Sequence, residues 1–274
     1  MSIPQFLYGT AWKEDQTQTL TEMALKQGFR GIDTANQRRH YHEAAVGQAI
    51  RRSLESGLVG RDDLFVQTKF TFRQGQDHRL PYDPNAPIAA QVEQSLSSSI
   101  EHLGIEVIDS YLLHGPTQRT GLAREDWAAW QAMEQIYDSG RVRMLGVSNV
   151  QLDQLQALCR EARIRPCFVQ NRCYAVTGWD GEVRAFCAAN ALIYQGFSLL
   201  TANADAIHGS SVAAIAKRHQ RTVPQIIFRF AQQMDMLPLT GTSSRRHMQQ
   251  DLDILNFSLD QDEVKQIERV ALLP

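Results

Sequence analysis

Short apolar runs rich in β-branched and aromatic residues recur at Phe6–Ala11, Phe29–Thr34, Leu64–Phe70, Val107–His114, Val142–Asn149, Cys167–Cys173, Ala191–Leu200 and Met236–Thr242, and they predict eight strands. Between them the apolar positions return about every 3.6 residues, which is helix spacing. The helical stretches are Thr19–Gly28, Ala45–Gly57, Ile88–Leu103, Trp127–Ser139, Leu152–Ala162, Glu182–Ala189, Val212–Gln220 with Ile226–Gln233, and His247–Leu255. Gly28, Gly57, Gly104 and Gly140 stand where four helices should stop, and Asp126 stands where an N-cap is expected.

Strict alternation of strand and helix forces parallel strands joined by right-handed crossovers. Eight such units are enough to close a sheet on itself, whereas an open doubly wound sheet needs a reversal of strand order. The expected fold is therefore α/β, a (β/α)8 TIM barrel, with residues 1–274 as a single domain and no linker or break in composition. The 274 residues suit a barrel, which takes about 250.

Composition narrows the function classes. Lys and Arg number 28 against 30 Asp and Glu, a net charge of -2, so no counterion-releasing surface for nucleic acid or anionic membrane is expected. No apolar stretch approaches the roughly 20 residues that span a bilayer, and the first residues lack a signal-peptide pattern, so a cytoplasmic location is expected. Cys159, Cys167, Cys173 and Cys187 form no Cys-x-x-Cys pair and read as small buried hydrophobes, so no metal site is expected.

Function in such a barrel sits at the C-terminal ends of the strands. The polar residues there are Asp33, Lys69, His114, Ser148, Asn149 and Gln170. A lysine beside an aspartate is costly to bury unless paired, and such a pair shifts the pKa of a neighbour. Tyr41, in the loop after Asp33, is the group to be tuned: a phenol near a cation is a candidate general acid. The unequal loops Thr71–Pro87 and Gly115–Glu125 are expected to shape a substrate site.

Gly31-Ile32-Asp33-Thr34-Ala35, Val66-Gln67-Thr68-Lys69, Leu112-Leu113-His114, Gly146-Val147-Ser148-Asn149 and Val169-Gln170 follow one another at five strand ends, and in that order the chain resembles the aldo-keto reductases along nearly its whole length. The resemblance implies an NAD(P)H-dependent oxidoreductase that interconverts aldehydes or ketones and alcohols, with a catalytic tetrad at Asp33, Tyr41, Lys69 and His114. Tyr41 would donate the proton, Lys69 paired with Asp33 would lower its pKa, and His114 would orient the carbonyl. The family tyrosine usually stands five residues after the aspartate, where this chain has Arg38, so Asn36–His40 holds a three-residue insertion. Tyr41 and His40 both compete for the proton-donor position.

The resemblance further places the nicotinamide carboxamide at Ser148, Asn149 and Gln170, and a stacking ring at Phe197, followed by Ser198 and Leu200. Leu237–Ser244 is similar to the family's phosphate-binding segment, with Thr242 and Ser243 as the contacts. Members that prefer NADPH often carry a lysine before the serine and an arginine five residues after it; here those positions hold Gly241 and His247, and Arg245 or Arg246 is the substitute charge. Thr10 is expected to touch the cofactor and Trp12 to wall the substrate pocket. NADPH is expected, with NADH as the alternative, in a monomer with an open substrate site. Two other readings stay open: a cofactor-binding regulatory barrel with little turnover, and a barrel using Lys69 as a Schiff-base nucleophile.

Overall fold

A computed structural model describes residues 3–272. Each predicted apolar run becomes a strand: β1 Leu7–Gly9, β2 Gly31–Asp33, β3 Phe65–Phe70, β4 Ser110–Leu113, β5 Leu145–Ser148, β6 Phe168–Arg172, β7 Ile193–Phe197 and β8 Met236–Thr240. Every neighbouring pair is parallel and β8 returns to β1, closing the barrel. Helices lie outside: α1 Thr17–Gln27, α2 Glu43–Glu55, α3 Ile88–Leu103, α4 Arg124–Asp138, α5 Leu152–Glu161, α6 Gly181–Ala189, α7 Ala204–Ile207, α8 Ser210–His219, α9 Val223–Gln233, α10 Arg245–Leu252 and α11 Gln261–Glu268. No helix among the described residues is long and apolar enough to cross a membrane.

All eight strands are shorter than their apolar runs, and β4 and β5 each start three residues late. Before β4 and β5 only a single bridge joins Ile108 to Val142. There the buried Asp109 carboxylate accepts the Val66 N–H at 2.8 Å and pairs with Arg61, so a side chain replaces the ladder. Asp126 corrects the expected N-cap: α4 starts at Arg124, and Asp126, two residues further on, accepts the N–H of Ala123 at 2.7 Å. An acid in the first turn can reach back to the cap backbone, which is the reverse half of a capping box. Gly28 and Gly104 end α1 and α3 in the left-handed conformation, at φ of +112° and +65°. Gly47 serves packing instead: a Cβ there would lie 1.9 Å from the His102 carbonyl oxygen, so α2 meets the end of α3 only through glycine.

The barrel interior is layered, because alternate residues of each strand point to its axis. Leu7, Phe65, Phe168 and Leu237 form an apolar floor, with the Phe65 and Phe168 rings edge to face at 5.5 Å. Two residues further along the strands the layer turns polar. The Gln67 amide donates to Gln195 Oε1 at 2.8 Å, Gln195 donates to Gln67 Oε1 at 2.9 Å, and Gln170 donates to Gln195 Oε1 at 2.9 Å. This satisfied glutamine layer carries the strand ends above it.

Candidate active site

Asp33 is the hub of the mouth. Its Oδ1 accepts from Lys69 Nζ at 2.7 Å, from Gln67 Nε2 at 2.7 Å and from Gln170 Nε2 at 2.9 Å. Lys69 is wholly buried, and its ammonium also donates to the Thr34 carbonyl at 2.8 Å. Burial pushes the Lys69 ammonium below its ordinary pKa, while the Asp33 charge and hydrogen bond oppose that shift.

The insertion before Tyr41 is absorbed by one turn, in which the N–H groups of His40 and Tyr41 both donate to the Gln37 carbonyl, at 3.2 and 3.0 Å. Tyr41 thereby reaches the mouth: its ring stands 5.3 Å from Lys69 Nζ and 6.0 Å from the His114 ring, edge-on. His40 also lines the mouth, and its ring stacks on Trp12 at 4.0 Å. Of the two contenders, Tyr41 is the one whose ring stands over the Lys69 ammonium and edge-on to His114.

The expected lowering of the Tyr41 pKa by Lys69 is opposed by the surroundings of the phenol. Burial, and then the Asp33 charge, raise the phenol well above its ordinary value. His114 is pushed down to about 3, by burial first and then by the charges of Lys69 and His40, so its ring is neutral. Its carbonyl is tied to Asn149 Nδ2 at 2.8 Å. The mouth thus holds a protonated phenol and a neutral imidazole side by side.

A continuous cleft of about 1180 Å³ opens above this group. Asp33, Tyr41, His114, Trp12, Ser148, Asn149, Gln170, Phe197, Ser198, Leu200, Thr242, Ser243 and His247 all line it. Lys69 lies behind its wall, which removes the support for a nucleophilic lysine. Two expected cofactor residues fall elsewhere. Thr10 is fully buried, its hydroxyl donating to the Asp33 carbonyl at 3.0 Å, so it braces β1 against β2. Arg246 is exposed on the first turn of α10 and does not line the cleft. Trp12, Asn149 and Ser198 adopt left-handed backbone at φ of +61°, +52° and +56°, a strained conformation that concentrates at functional sites. Trp12 is also 71% exposed at the rim.

The sequence reading missed Lys13, Arg172 and Asp251. The Lys13 ammonium donates to the Gly241 carbonyl at 2.7 Å, meets no carboxylate among the described residues, and is pushed down to about 8 by burial. A Cβ on Gly241 would lie 3.8 Å from it, so this cation fills ground next to the phosphate-like segment. The Arg172 guanidinium lies 5.5 Å from the centroid of Phe197, and its parity with Gln170 on β6 marks it as axis-facing. Asp251 lines the cleft at 3% exposure, with Oδ2 lacking any partner, and burial pushes its carboxyl up to about 7. Asp251 is the penultimate residue of α10, and the burial that marks it is not visible in the sequence.

Because the Asp251 pKa is raised on folding, the unfolded chain loses this proton first, and stability falls as pH rises from about 4 to about 7. Asp251→Asn is therefore expected to stabilise the protein by roughly 1–3 kcal/mol at pH 8, and much less at pH 5. Thermal unfolding at the two pH values checks this; equal shifts at both would refute it.

A phenol, an imidazole and a buried Asp–Lys pair at the mouth of a parallel barrel, beside a long cleft, define a barrel enzyme built for carbonyl chemistry. The aldo/keto reductase family model matches residues 6–204 and 205–272, and the chain belongs to this family of oxidoreductases. It is 28% identical to the 9,11-endoperoxide prostaglandin H2 reductase of Trypanosoma cruzi, over 98% of this chain and 88% of that protein. It is 27% identical to the glyoxal reductase of Bacillus subtilis, over 89% and 80%. Among solved structures, an aldo-keto reductase from a Medee basin deep-sea metagenome library aligns with a TM-score of 0.83 at 25% identity, covering 98% of this chain and 92% of that one. The aldo-keto reductase of Bombyx mori in complex with NADP shares the fold, with a TM-score of 0.83 at 24% identity over 98% and 90%.

Proposed function

We propose that the chain reduces small aldehyde or ketone substrates to alcohols, reversibly, using NADPH ahead of NADH, with Asp33, Tyr41, Lys69 and His114 as its catalytic group. The observation that carries this reading is the Tyr41 ring held 5.3 Å from Lys69 Nζ and 6.0 Å from the His114 ring, above the buried Asp33–Lys69 pair. The cleft fits an extended dinucleotide. Ser148, Asn149 and Gln170 offer donors and acceptors for a carboxamide, and Phe197 a flat wall. Ser198, Leu200, Thr242 and Ser243 come next, where Lys13 supplies the positive charge that Gly241 lacks. Asp251, with its unpartnered oxygen, and His247 line the same cleft from α10. The NADP in the Bombyx mori relative supports the cofactor assignment.

When bound, the reduced nicotinamide supplies the hydride. The imidazole of His114 donates a hydrogen bond to the carbonyl oxygen and so polarises it. The Tyr41 hydroxyl gives its proton to that oxygen as negative charge develops there, and Lys69 is the cation nearest the phenolate left behind. Trp12 walls the substrate side. The turnover-free alternative rested on the displaced tyrosine, which the Gln37–Tyr41 turn returns to the mouth. A monomer in the cytoplasm is the setting we infer, supported by the four free thiols and the near-neutral charge.

Titration of the purified protein with NADPH and with NADH, followed by tryptophan fluorescence, is the test, with an aromatic aldehyde then added and reduced-cofactor absorbance recorded. Tighter NADPH binding with oxidation is expected. Binding without oxidation would restore the regulatory barrel, and absence of binding would overturn the proposal.

A further inference from the structure

At the mouth of the barrel one short hydrogen bond is not used by the chemistry above: Thr71 Oγ1 lies 2.6 Å from His114 Nδ1. Thr71 follows Lys69 by two residues, at the end of β3, and is only 6% exposed. Its hydroxyl has no other hydrogen-bond partner among the described residues. Its carbonyl is held separately, by the Tyr82 hydroxyl at 2.8 Å and the Gln76 amide at 3.4 Å, so the loop after β3 clamps it in place.

A hydroxyl proton in so buried a position is satisfied only by a lone pair, and the lone pair on hand is that of Nδ1. A neutral imidazole that accepts at Nδ1 carries its own proton on Nε2. The ring is neutral, since burial and the Lys69 cation keep it unprotonated. Nε2 has no partner among the described residues, in a side chain that lines the cleft. The opposite tautomer would strand the Thr71 proton and present a lone pair, rather than a donor, to an incoming oxygen.

We propose that Thr71 is a positioning residue for His114, whose hydroxyl fixes the Nε2–H tautomer and so makes the free ring nitrogen a donor to the substrate's carbonyl oxygen. This rests on the carbonyl-reductase reading. The Asn149 amide holds the His114 backbone and Thr71 holds its ring, so β3 and β5 orient the imidazole from two sides.

Thr71→Val removes the hydroxyl at nearly constant shape, and Thr71→Ser keeps it. Nitrogen-15 NMR of the imidazole in the cofactor-free protein reads the tautomer directly. Wild type and Thr71→Ser are expected to carry the proton on Nε2, and Thr71→Val to show a mixture. Turnover should fall about 10- to 100-fold in Thr71→Val, with NADPH affinity and thermal midpoint near wild type, and recover in Thr71→Ser. A wild-type ring protonated on Nδ1, or a Thr71→Val protein with unchanged turnover, would overturn the proposal, as would failure of serine to rescue. An Nε2–H ring that shifts in Thr71→Val, in a protein that turns over no carbonyl, supports the tautomer assignment and overturns the reductase reading alone.

Discussion

Tyr41→Phe is expected to lower turnover by roughly 10²–10⁴-fold while leaving cofactor affinity and thermal stability close to wild type. The phenol is the protonated acid beside His114, and burial together with the Asp33 charge keeps it protonated across the neutral range. No hydrogen bond from its hydroxyl holds the fold among the described residues, so the loss should appear in the chemical step. His40→Gln is the control, because its ring stacks on Trp12 at the rim rather than on the ion pair. Single-turnover rates with saturating reduced cofactor separate the two. If His40→Gln abolished reduction and Tyr41→Phe retained it, the proton donor would be His40.

Asp33→Ala should produce the largest loss of stability. It leaves the wholly buried Lys69 ammonium without a counter-charge and frees the amide donors of Gln67 and Gln170 at the same carboxylate oxygen. Breaking one side of a buried pair costs about 3–5 kcal/mol, because the remaining charge stays desolvated. Adding Lys69→Met should recover much of that loss by removing the stranded charge, with no return of turnover. Urea unfolding of the two variants measures both effects. A double mutant no more stable than Asp33→Ala would show that the ion pair is not the source of the penalty.

Gly28 and Gly104 end helices as their positions foretold, since a left-handed residue there carries the same steric signature in any fold. Helix and strand edges were harder. The residues before β4 read as strand because they are apolar, yet Asp109 takes over the backbone bond through a carboxylate that pairs with Arg61, an arginine 48 residues away. Asp126 failed as a cap by register alone, since an acid in the first turn and an acid at the cap look alike along the chain.

The site divides in the same way. Asp33, Lys69 and His114 could be found at strand ends because the barrel's parity sends each strand-end residue to one mouth. Lys13 and Thr71 carried no such mark, since each draws its role from a neighbour on another element, Gly241 for Lys13 and His114 for Thr71, and Asp251 is marked only by its burial. Thr10 and Arg246 show the converse, residues in the right stretch of chain that folding turned away from the cleft.

What the sequence determined alone was therefore periodic or positional: eight strand–helix units, a parallel sheet of the kind that a barrel needs, and the ionisable groups at the strand ends. These follow from repeats of about two and 3.6 residues and from chirality, which act within a short length of chain. Tertiary structure alone decided that β8 returns to β1, that the Tyr41 ring stands over the ion pair, and which nitrogen of His114 is left free. Those depend on burial and on separations of a few ångströms between residues far apart in sequence, and desolvation and hydrogen bonding take their values only once the barrel has brought the groups together.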